Sequence, residues 1–260
     1  MNEGNRNVVE SYYRQLYSPD CARAIANYLA PTYVEHQYTA GFTRQGLRSY
    51  VETRLKAHPL HRIVVHHLLG EGNFIFLMVE EKLGGNVDVA RGELFRLTNG
   101  KIVEHWGAHV IDDKGRKNPN GTFDGGRVNR QVDYARQFAK RFEELDLQGF
   151  NQQILESFND SRVPDYKQHS PRGGDGREGL VTILAQLKAN EQKTTMSPRR
   201  VLCDGDFLLS HRLYDSDPPH PLMKRINTFD LFRLNAEGKA VEHWDVMESV
   251  PSRELLARMF

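Results

Sequence analysis

The chain has 260 residues, of which 39% are apolar and 10% aromatic, and its formal net charge is +1. This length suits two modest domains, each with a core of its own. The near-zero charge gives no long-range attraction to nucleic acid or to an anionic membrane. The N-terminus lacks a hydrophobic signal core, and no apolar run is long enough to cross a bilayer. We therefore expect a soluble, cytoplasmic protein.

The predicted elements follow the same order twice. An amphipathic helix opens each half, with apolar residues at helical spacing over residues 8–17 and 132–142. Shorter helices are predicted over residues 47–55 and 180–187. β-Rich runs fill most of the remainder, and in each half the last two are separated by turn residues, as in a hairpin. The predicted strands include residues 74–79, 201–202, 207–209, 228–234 and 240–247.

Four motifs recur in the same order in both halves. The offset is 133 residues for the first two (His36 to His169) and 138 for the last (Trp106 to Trp244), so the second copy carries five extra residues between them. Such self-similarity indicates a tandem repeat. The matching strings are YVEHQ at 33–37 and YKQHS at 166–170, EGNF at 71–74 and DGDF at 204–207, ELFRL at 93–97 and DLFRL at 230–234, and VEHW at 103–106 and 241–244.

The boundary between the copies is predicted from composition. Residues 112–127 read DDKGRKNPNGTFDGGR, a sequence rich in the Gly, Asn, Pro and Asp of linkers. We expect a first domain at 1–112, a linker at 113–127 and a second domain at 128–260. Helices followed by an antiparallel sheet predict an α+β fold for each domain, with the helices on one face of the sheet.

Strand parity sorts the side chains of the second copy by face. His243, Asp245 and Met247 share one face of the last strand, and Trp244 lies on the other. Apolar residues fall on both faces of these strands, so both faces need a cover. Helices can cover one face, which leaves the other for a partner sheet.

The strings DYKQHSP, DGREGL, DGDFLLSH, DLFRLNAEGK and VEHWDVME, in this order, resemble the SnoaL-like polyketide cyclase family of the nuclear transport factor and ketosteroid isomerase-like superfamily. The resemblance covers nearly all of residues 130–250 and, more loosely, residues 30–111. It implies two cone-shaped domains, each a curved, mainly antiparallel sheet with helices on one face. An apolar pocket between sheet and helices and a dimerising outer face are also implied.

The resemblance implies a catalytic set in the second copy. The acid after the final-strand Trp, here Asp245, acts as acid or base in catalytic relatives, and the histidine of the Y-x-x-H string, here His169, faces the same cavity. Asp230 has the parity to lie across from Asp245, and two close carboxyls do not both ionise readily. The residues expected to contact the ligand are His243, Phe232, Met247, His36, Glu93, His105 and His109.

The first copy departs from this pattern at one position. Gly107 stands where the second copy has Asp245, so the acid is missing. His109 stands where the second copy has Met247 and shares the pocket parity of His105 and Glu93. The sequence leaves open whether this first cavity is inactive or suited to a different chemistry.

Each candidate also has a structural explanation. Asp245 can bond the backbone at a strand end, Asp230 can pair with Arg225 or Arg233, and His169 can make a structural hydrogen bond. His243 can be a solvated strand residue. Four histidines invite a metal interpretation, but no cysteine or carboxylate stands at ligand spacing, so no metal site is expected. These four are His58, His61, His66 and His67.

Two functions follow from this pattern. The first is a cofactor-independent acid–base enzyme, a cyclase or isomerase acting on a small apolar polyketide- or terpenoid-like intermediate. The alternative is a non-catalytic small-molecule-binding or scaffold protein of the same fold. No nucleotide motif and no basic stripe occurs, so no cofactor and no nucleic-acid partner are expected. We expect the sheet faces with Trp106 and Trp244 to pair, as an internal pseudo-dimer or in a homodimer.

Overall fold

The computed structural model describes residues 3–84, 88–112, 115–191, 193–217 and 225–260. The chain divides into two compact units, Met1–Ile111 with Glu254–Phe260, and Asp112–Arg253. The sequence instead places residues 254–260 with the second domain. Of the predicted linker, residues 113 and 114 lie outside the described residues. None of the described helices is long and apolar enough to span a membrane.

Up to Ile111, the described residues of the first unit form three α-helices and five strands; most of the C-terminal helix α7 (Arg253–Arg258) also belongs to this unit. The helices precede most of the sheet, as the sequence predicts. The helices are α1 (Glu3–Leu16), α2 (Cys21–Tyr28) and α3 (Arg44–Ala57); the strands are β1 (Leu29–Glu35), β2 (Arg62–Glu71), β3 (Phe74–Lys82), β4 (Asp88–Thr98) and β5 (Lys101–Ile111).

The second unit repeats this order of elements. Its helices are α4 (Tyr134–Asn151), α5 (Phe158–Ser161) and α6 (Gly176–Ala189); its strands are β6 (Arg162–Gln168), β7 (Lys193–Asp204), β8 (Phe207–Asp217), β9 (Arg225–Leu234) and β10 (Ala240–Ser249). A last helix, α7 (Arg253–Arg258), follows.

The two sheets have the same strand order. The first runs β1-β5-β4-β3-β2 and the second β6-β10-β9-β8-β7. In each, the first strand pairs in parallel with the last, and all other pairs are antiparallel. The predicted α+β class, with two tandem and mainly antiparallel sheets, is confirmed. The duplication seen in the sequence is therefore a duplication of topology.

The opening helix of each unit packs its apolar stripe on the sheet. On α1 the stripe is Val9, Tyr12, Tyr13 and Leu16, buried in one cluster with sheet residues such as Phe95. On α4, Phe142 packs on Phe232 of β9 with ring centroids 4.7 Å apart. Helical spacing of these residues produces one buried face, and burying that face stabilises the helix more than its intrinsic propensity does.

The register of the last two strands places the candidate residues. Asp245 of β10 lies directly opposite Asp230 of β9, and His243 lies opposite Phe232. In the first unit the equivalent pairs are Gly107 with Glu93, and His105 with Phe95. Because opposed residues of an antiparallel pair project from the same face, each sheet brings these candidate residues onto one face.

Candidate active site in the second unit

A cavity of about 240 Å³ lies in the second unit beside β9 and β10. One side is apolar and comes mainly from α4, α6 and the end of β10. The sheet side is polar and carries Asp230, His243 and Asp245. The apolar residues lining the cavity are Phe150, Leu180, Ile183, Leu184, Leu187 and Met247. An apolar space with a few convergent polar groups is the usual form of a small-molecule site.

Asp230, His243 and Asp245 form one cluster on the cavity wall. One ligand-type atom from each lies within 4.8 Å of the others. Nε2 of His243 lies 3.1 Å from Oδ1 of Asp230. Asp230 is buried, whereas His243 and Asp245 are half-buried and open toward the cavity. The strand parity read from the sequence thus places three titratable groups together.

The hydrogen bonds of Gln168 fix one proton on His243. The backbone N–H of Ser170 donates to Oε1 of Gln168 at 2.9 Å, and a backbone N–H can only donate. The same Oε1 lies 2.9 Å from Nδ1 of His243. Nδ1 therefore carries a hydrogen, which leaves Nε2 to face the Asp230 carboxyl. A hydrogen bond between Nε2 and Asp230 requires one further proton, carried by either the imidazole or the carboxyl.

Asp230 is also held on its other oxygen. The hydroxyl of Tyr214 donates to Oδ2 at 3.3 Å, and Nη1 of Arg212 lies 3.9 Å from the same atom. The sequence names Arg225 and Arg233 as possible partners of Asp230, but Arg225 donates to backbone carbonyls and Arg233 binds Glu242 at 2.6 Å. Asp230 thus anchors the histidine and is not bound in a close arginine pair.

The pKa of Asp245 is raised from its ordinary value of 3.8. Burial is the main cause, because a desolvated carboxylate is less stable than the neutral acid. The charge of His243 lowers the pKa, Asp230 raises it, and Ser170 and Arg172 lower it again. A carboxyl with a raised pKa is a stronger base than an exposed aspartate, which suits proton transfer.

His169 does not join this cluster. Its ring stacks on Trp244, with centroids 4.7 Å apart and planes at 3°. Nδ1 of His169 donates to the carbonyl of Gly121 at 2.8 Å, and Nε2 lies 3.5 Å from Glu242. Trp244 and His243 are successive residues of a strand and point to opposite faces. The expectation that His169 faces the cavity is therefore corrected: it lies on the outer face of the sheet.

Residues 116–126 cover part of this outer face and one end of the cavity. The indole Nε1 of Trp244 donates to the carbonyl of Asp124 at 2.8 Å, and the N–H of Gly126 donates to Glu242 at 3.2 Å. Nδ2 of Asn118 donates to the carbonyls of Ser170 and Gly173, at 2.6 and 2.8 Å. This part of the predicted linker is therefore a hydrogen-bonded portion of the second unit.

The first unit buries a chain of charges at the matching position. His105 lies between two carboxylates, with Nδ1 2.9 Å from Glu35 and Nε2 2.6 Å from Glu93. Arg91 donates to Glu93 at 2.6 Å. Burial by itself lowers the pKa of His105, but Glu35 and Glu93 raise it to about 10. Burial raises the pKa of Glu93, but Arg91 and His105 lower it to about 2.

The place of Asp245 is occupied in the first unit by neighbouring side chains. A Cβ added to Gly107 would lie 2.8 Å from Oε2 of Glu93 and 3.2 Å from Oε1 of Gln37. His109 lies on this side too, with Nδ1 3.4 Å from Nε2 of Gln37. His36 instead stacks on Trp106 at 4.7 Å, as His169 does on Trp244, so the expectation that it contacts a ligand in the cavity is also corrected.

Two expected contact residues of the second unit lie on the cavity side. Met247 lines the main cavity. Phe232 lines a smaller cavity of about 30 Å³ that shares Tyr214, Asp230 and His243 with the first. Its ring stacks on His243 at 4.5 Å, which fixes the plane of the imidazole.

Several polar residues of the site were not identified from the sequence, among them Lys117, Gln168, Ser170, Arg172 and Tyr214. Gln168 could have been predicted from the sequence, because it precedes His169 and strand alternation places its side chain on the opposite face. Ser170 follows the same alternation. Tyr214 and Arg172 carry no sequence signal, because their roles depend on neighbours distant in the chain.

A metal ion has one possible set of ligands among the residues that the structure describes. It consists of Asp230, His243 and Asp245, one nitrogen and two carboxylates. Of the sequence's histidine cluster, His61 and His66 bind separate glutamates, Glu81 at 2.7 Å and Glu80 at 2.9 Å. That cluster therefore does not converge on one point.

Comparison with known proteins shows similarity at the level of structure. No family model and no curated protein matches the chain. One matching structure is TsrD from Streptomyces laurentii, with 17% identity and a TM-score of 0.38; the match covers 43% of this chain and 89% of TsrD. A second is a SnoaL-like protein of unknown function from Burkholderia thailandensis E264, with 12% identity and a TM-score of 0.37, covering 45% of this chain and 99% of that protein. A third is a Jannaschia Sp. CCS1 protein provisionally designated a SnoaL-like polyketide cyclase, with 15% identity and a TM-score of 0.37, covering 42% of this chain and 86% of that protein.

Each of these matches spans less than half of the chain, which is about the length of one unit. SnoaL-like proteins, the family that the sequence motifs resemble, are thus among the solved structures to which this chain is similar.

Proposed function

We propose that the second unit is a cofactor-independent acid–base enzyme, a cyclase or isomerase of a small, mainly apolar polyketide- or terpenoid-like molecule. The observation that carries the proposal is the convergence of Asp230, His243 and Asp245 on one wall of a mainly apolar cavity. Perturbed titratable groups that meet in a cavity are typical of active sites.

Asp245 is the base in this proposal. It is the member of the cluster whose pKa is raised mainly by burial, and it lines the cavity. Its carboxylate removes a proton from a carbon next to a carbonyl group, and the electron pair of the broken C–H bond forms an enolate. Apolar walls keep the base poorly hydrated and hold the carbon close to it, and both effects speed proton transfer.

The His243–Asp230 pair is the acid. Nε2 and Asp230 share a proton, and Nδ1 stays protonated because Gln168 accepts from it. In an isomerisation the His243–Asp230 pair donates its shared proton to a second carbon of the enolate. In a cyclisation the enolate attacks a second carbonyl, and the pair protonates the resulting alkoxide. In both cases Asp245 finally returns its proton to the acid pair, so the cycle needs no external oxidant or reductant.

The first unit is proposed to be non-catalytic. Its histidine is held between two carboxylates, so its proton is bound too tightly for transfer at neutral pH. Its last strand has a glycine in place of the base, and Glu93 fills the space beside it. The unit then contributes its fold rather than a second active site.

A test of the proposal uses a carbon acid small enough for the cavity. We expect the protein to accelerate deuterium uptake at the α-carbon of 2-tetralone in D₂O, followed by NMR. Asp245→Asn keeps the shape and removes the base, so the rate should fall by about 10²-fold or more. Glu93→Gln is the matched change in the first unit, and it should leave the rate per folded molecule nearly unchanged.

The same experiment separates the proposal from a binding role. If 2-tetralone shifts the NMR signals of cavity residues but gains no deuterium beyond the buffer rate, the protein binds ligands without this chemistry. If Asp245→Asn and the original protein exchange at equal rates, Asp245 is not the base. A repeat with a chelator present checks that exchange does not depend on a metal at the same three residues.

A further inference from the structure

Two cationic side chains, Lys117 and Arg172, line the cavity that contains Asp245. Lys117 is exposed and Arg172 half-buried. Neither side chain forms a salt bridge or hydrogen bond with any residue that the structure describes. The charge of Arg172 acts on Asp245, where it lowers the pKa. The polar end of the cavity is therefore positively charged while its inner wall is acidic.

Several other arginines of this unit bind neighbouring groups. Arg116 precedes Lys117 and donates to Thr122 at 2.6 Å and to the carbonyl of His169 at 2.8 Å. Arg162 and Arg212 both bind Asp146, at 2.6 and 2.8 Å. Lys117 and Arg172 differ from these arginines because they line the cavity and have no salt-bridge partner among the described residues. Such groups lining an apolar cavity leave a positive potential that favours an anion.

The backbone holds the two cations near each other. The N–H of Lys117 donates to the carbonyl of Pro171 at 3.0 Å, next to Arg172 in the chain. Asn118 binds the carbonyls of Ser170 and Gly173 on either side of that residue. Like charges held on adjacent segments repel each other, and a bound anion reduces that cost.

We propose that Lys117 and Arg172 bind a carboxylate of the substrate, which is therefore an apolar organic acid rather than a neutral molecule. This inference rests on the proposed function for the identity of the cavity. The carboxylate lies at the cationic end, the apolar body lies against α6, and the reacting carbon reaches Asp245. A guanidinium matches a carboxylate with two parallel hydrogen bonds, and an ammonium group adds a point charge.

A carboxylate fits better than a phosphate or a nucleotide. Among the described residues, one lysine and one arginine line the cavity, and Asp230 and Asp245 on its wall repel a dianion. The rest of the cavity surface is mainly apolar, which suits a hydrocarbon body better than a sugar. A carboxylate carries a single negative charge and can stay partly hydrated beside exposed Lys117, so it suits both the small positive charge and the apolar lining of the cavity.

Binding of 2-naphthoate and of its methyl ester tests the inference, with calorimetry on the whole protein. The acid and the ester share the apolar body and differ in charge. We expect the original protein to prefer the acid by about tenfold, the effect of one good charge-assisted hydrogen bond. Arg172→Gln should abolish this preference, and Lys117→Gln should reduce it. Lys140→Gln, an exposed change on α4 outside the cavity lining, controls for net charge.

The outcomes separate this inference from the proposed function. Equal affinity for acid and ester, or a preference that survives Arg172→Gln, overturns the carboxylate site and leaves the acid–base proposal standing. Failure of both probes to bind overturns it as well, because no ligand then occupies the cavity. If Asp245→Asn still prefers the acid but no longer exchanges deuterium, the binding of the carboxylate and the chemistry are separate properties of one site.

Discussion

Glu35 and Gln168 occupy equivalent positions in the two units, and each lies 2.9 Å from Nδ1 of the histidine on the last strand of its sheet. The partner is a carboxylate in the first unit and a neutral amide in the second. In the first unit, where burial opposes a charge, Glu35 and Glu93 nevertheless raise the pKa of His105 to about 10. In the second unit the amide orients His243 but adds no negative charge.

Gln168→Glu should convert the second site toward the first. The new carboxylate raises the pKa of His243, because it favours the imidazolium, and the acid then holds its proton too tightly. We expect deuterium exchange with 2-tetralone to fall by roughly tenfold or more at neutral pH. An NMR titration of His243 should show the raised pKa. Gln168→Asn, which adds no charge, is the matched control; equal loss in both variants would point to geometry alone.

The charges of the first unit should make its stability depend on pH in two directions. The pKa of His105 rises from 6.5 to about 10, so its contribution is present below pH 6.5 and lost as pH rises toward 10. The pKa of Glu93 falls from 4.5 to about 2, so its contribution is present above pH 4.5 and lost as pH falls toward 2. Stabilisation by the pair should therefore be greatest between pH 4.5 and 6.5.

Unfolding in urea at pH 6 and pH 9 measures the stability that is lost as His105 deprotonates at high pH. Each unit by which a pKa departs from its ordinary value corresponds to about 1.4 kcal/mol. Glu35→Gln removes the carboxylate whose charge does most to raise the pKa of His105. The variant should therefore lose less stability between the two pH values than the original protein. An unchanged loss would assign the pH dependence to other groups.

The sequence predicted the fold and one face of the site for the same reason. Both depend on periodicity, which is local: helical spacing gives α1 and α4, and strand alternation places His243, Asp245 and Met247 on one face. The antiparallel pairing of β9 and β10 then brings Asp230 opposite Asp245. These features needed no knowledge of distant contacts.

The position of His169 could not be predicted from family resemblance alone. Alternation along β6 sends Gln168 to the cavity, so His169 points away and stacks on Trp244. The buried charges of the first unit were missed for a different reason. Glu35 and Arg91 are linked only in the folded protein, through His105 and Glu93. Because this network joins residues of three different strands, no spacing within the chain predicts it.

The pH dependence of exchange should report Asp245. Burial raises the pKa of this carboxyl above 3.8, and the base must be ionised to act, so the rate should rise with pH through a pKa above 3.8. Arg172 lowers that pKa, so Arg172→Gln should shift the rising limb to higher pH. The measurement is the exchange rate of 2-tetralone from pH 4 to 8, a range of about four units. If the rise in exchange rate occurs at the same pH in Arg172→Gln as in the original protein, a group other than Asp245 controls the pH dependence.

His169→Phe should affect stability and spare the chemistry. The phenyl ring keeps the stack on Trp244, but the hydrogen bond to Gly121 and the contact with Glu242 are lost. Burial raises the pKa of Glu242, but His169 and Arg233 lower it to about 2, so the variant also leaves this carboxylate less compensated. We expect a loss of about 1–3 kcal/mol in the free energy of unfolding.

Exchange activity per folded molecule should stay within about twofold, because His169 lies on the face of the sheet opposite the cavity. His36→Phe is the matched change in the first unit, since His36 stacks on Trp106 in the same way. It should lower stability similarly and leave activity unchanged. If His169→Phe folds normally but exchanges about tenfold more slowly than His36→Phe, the outer face must communicate with the site, most directly through the Trp244–His243 backbone of β10.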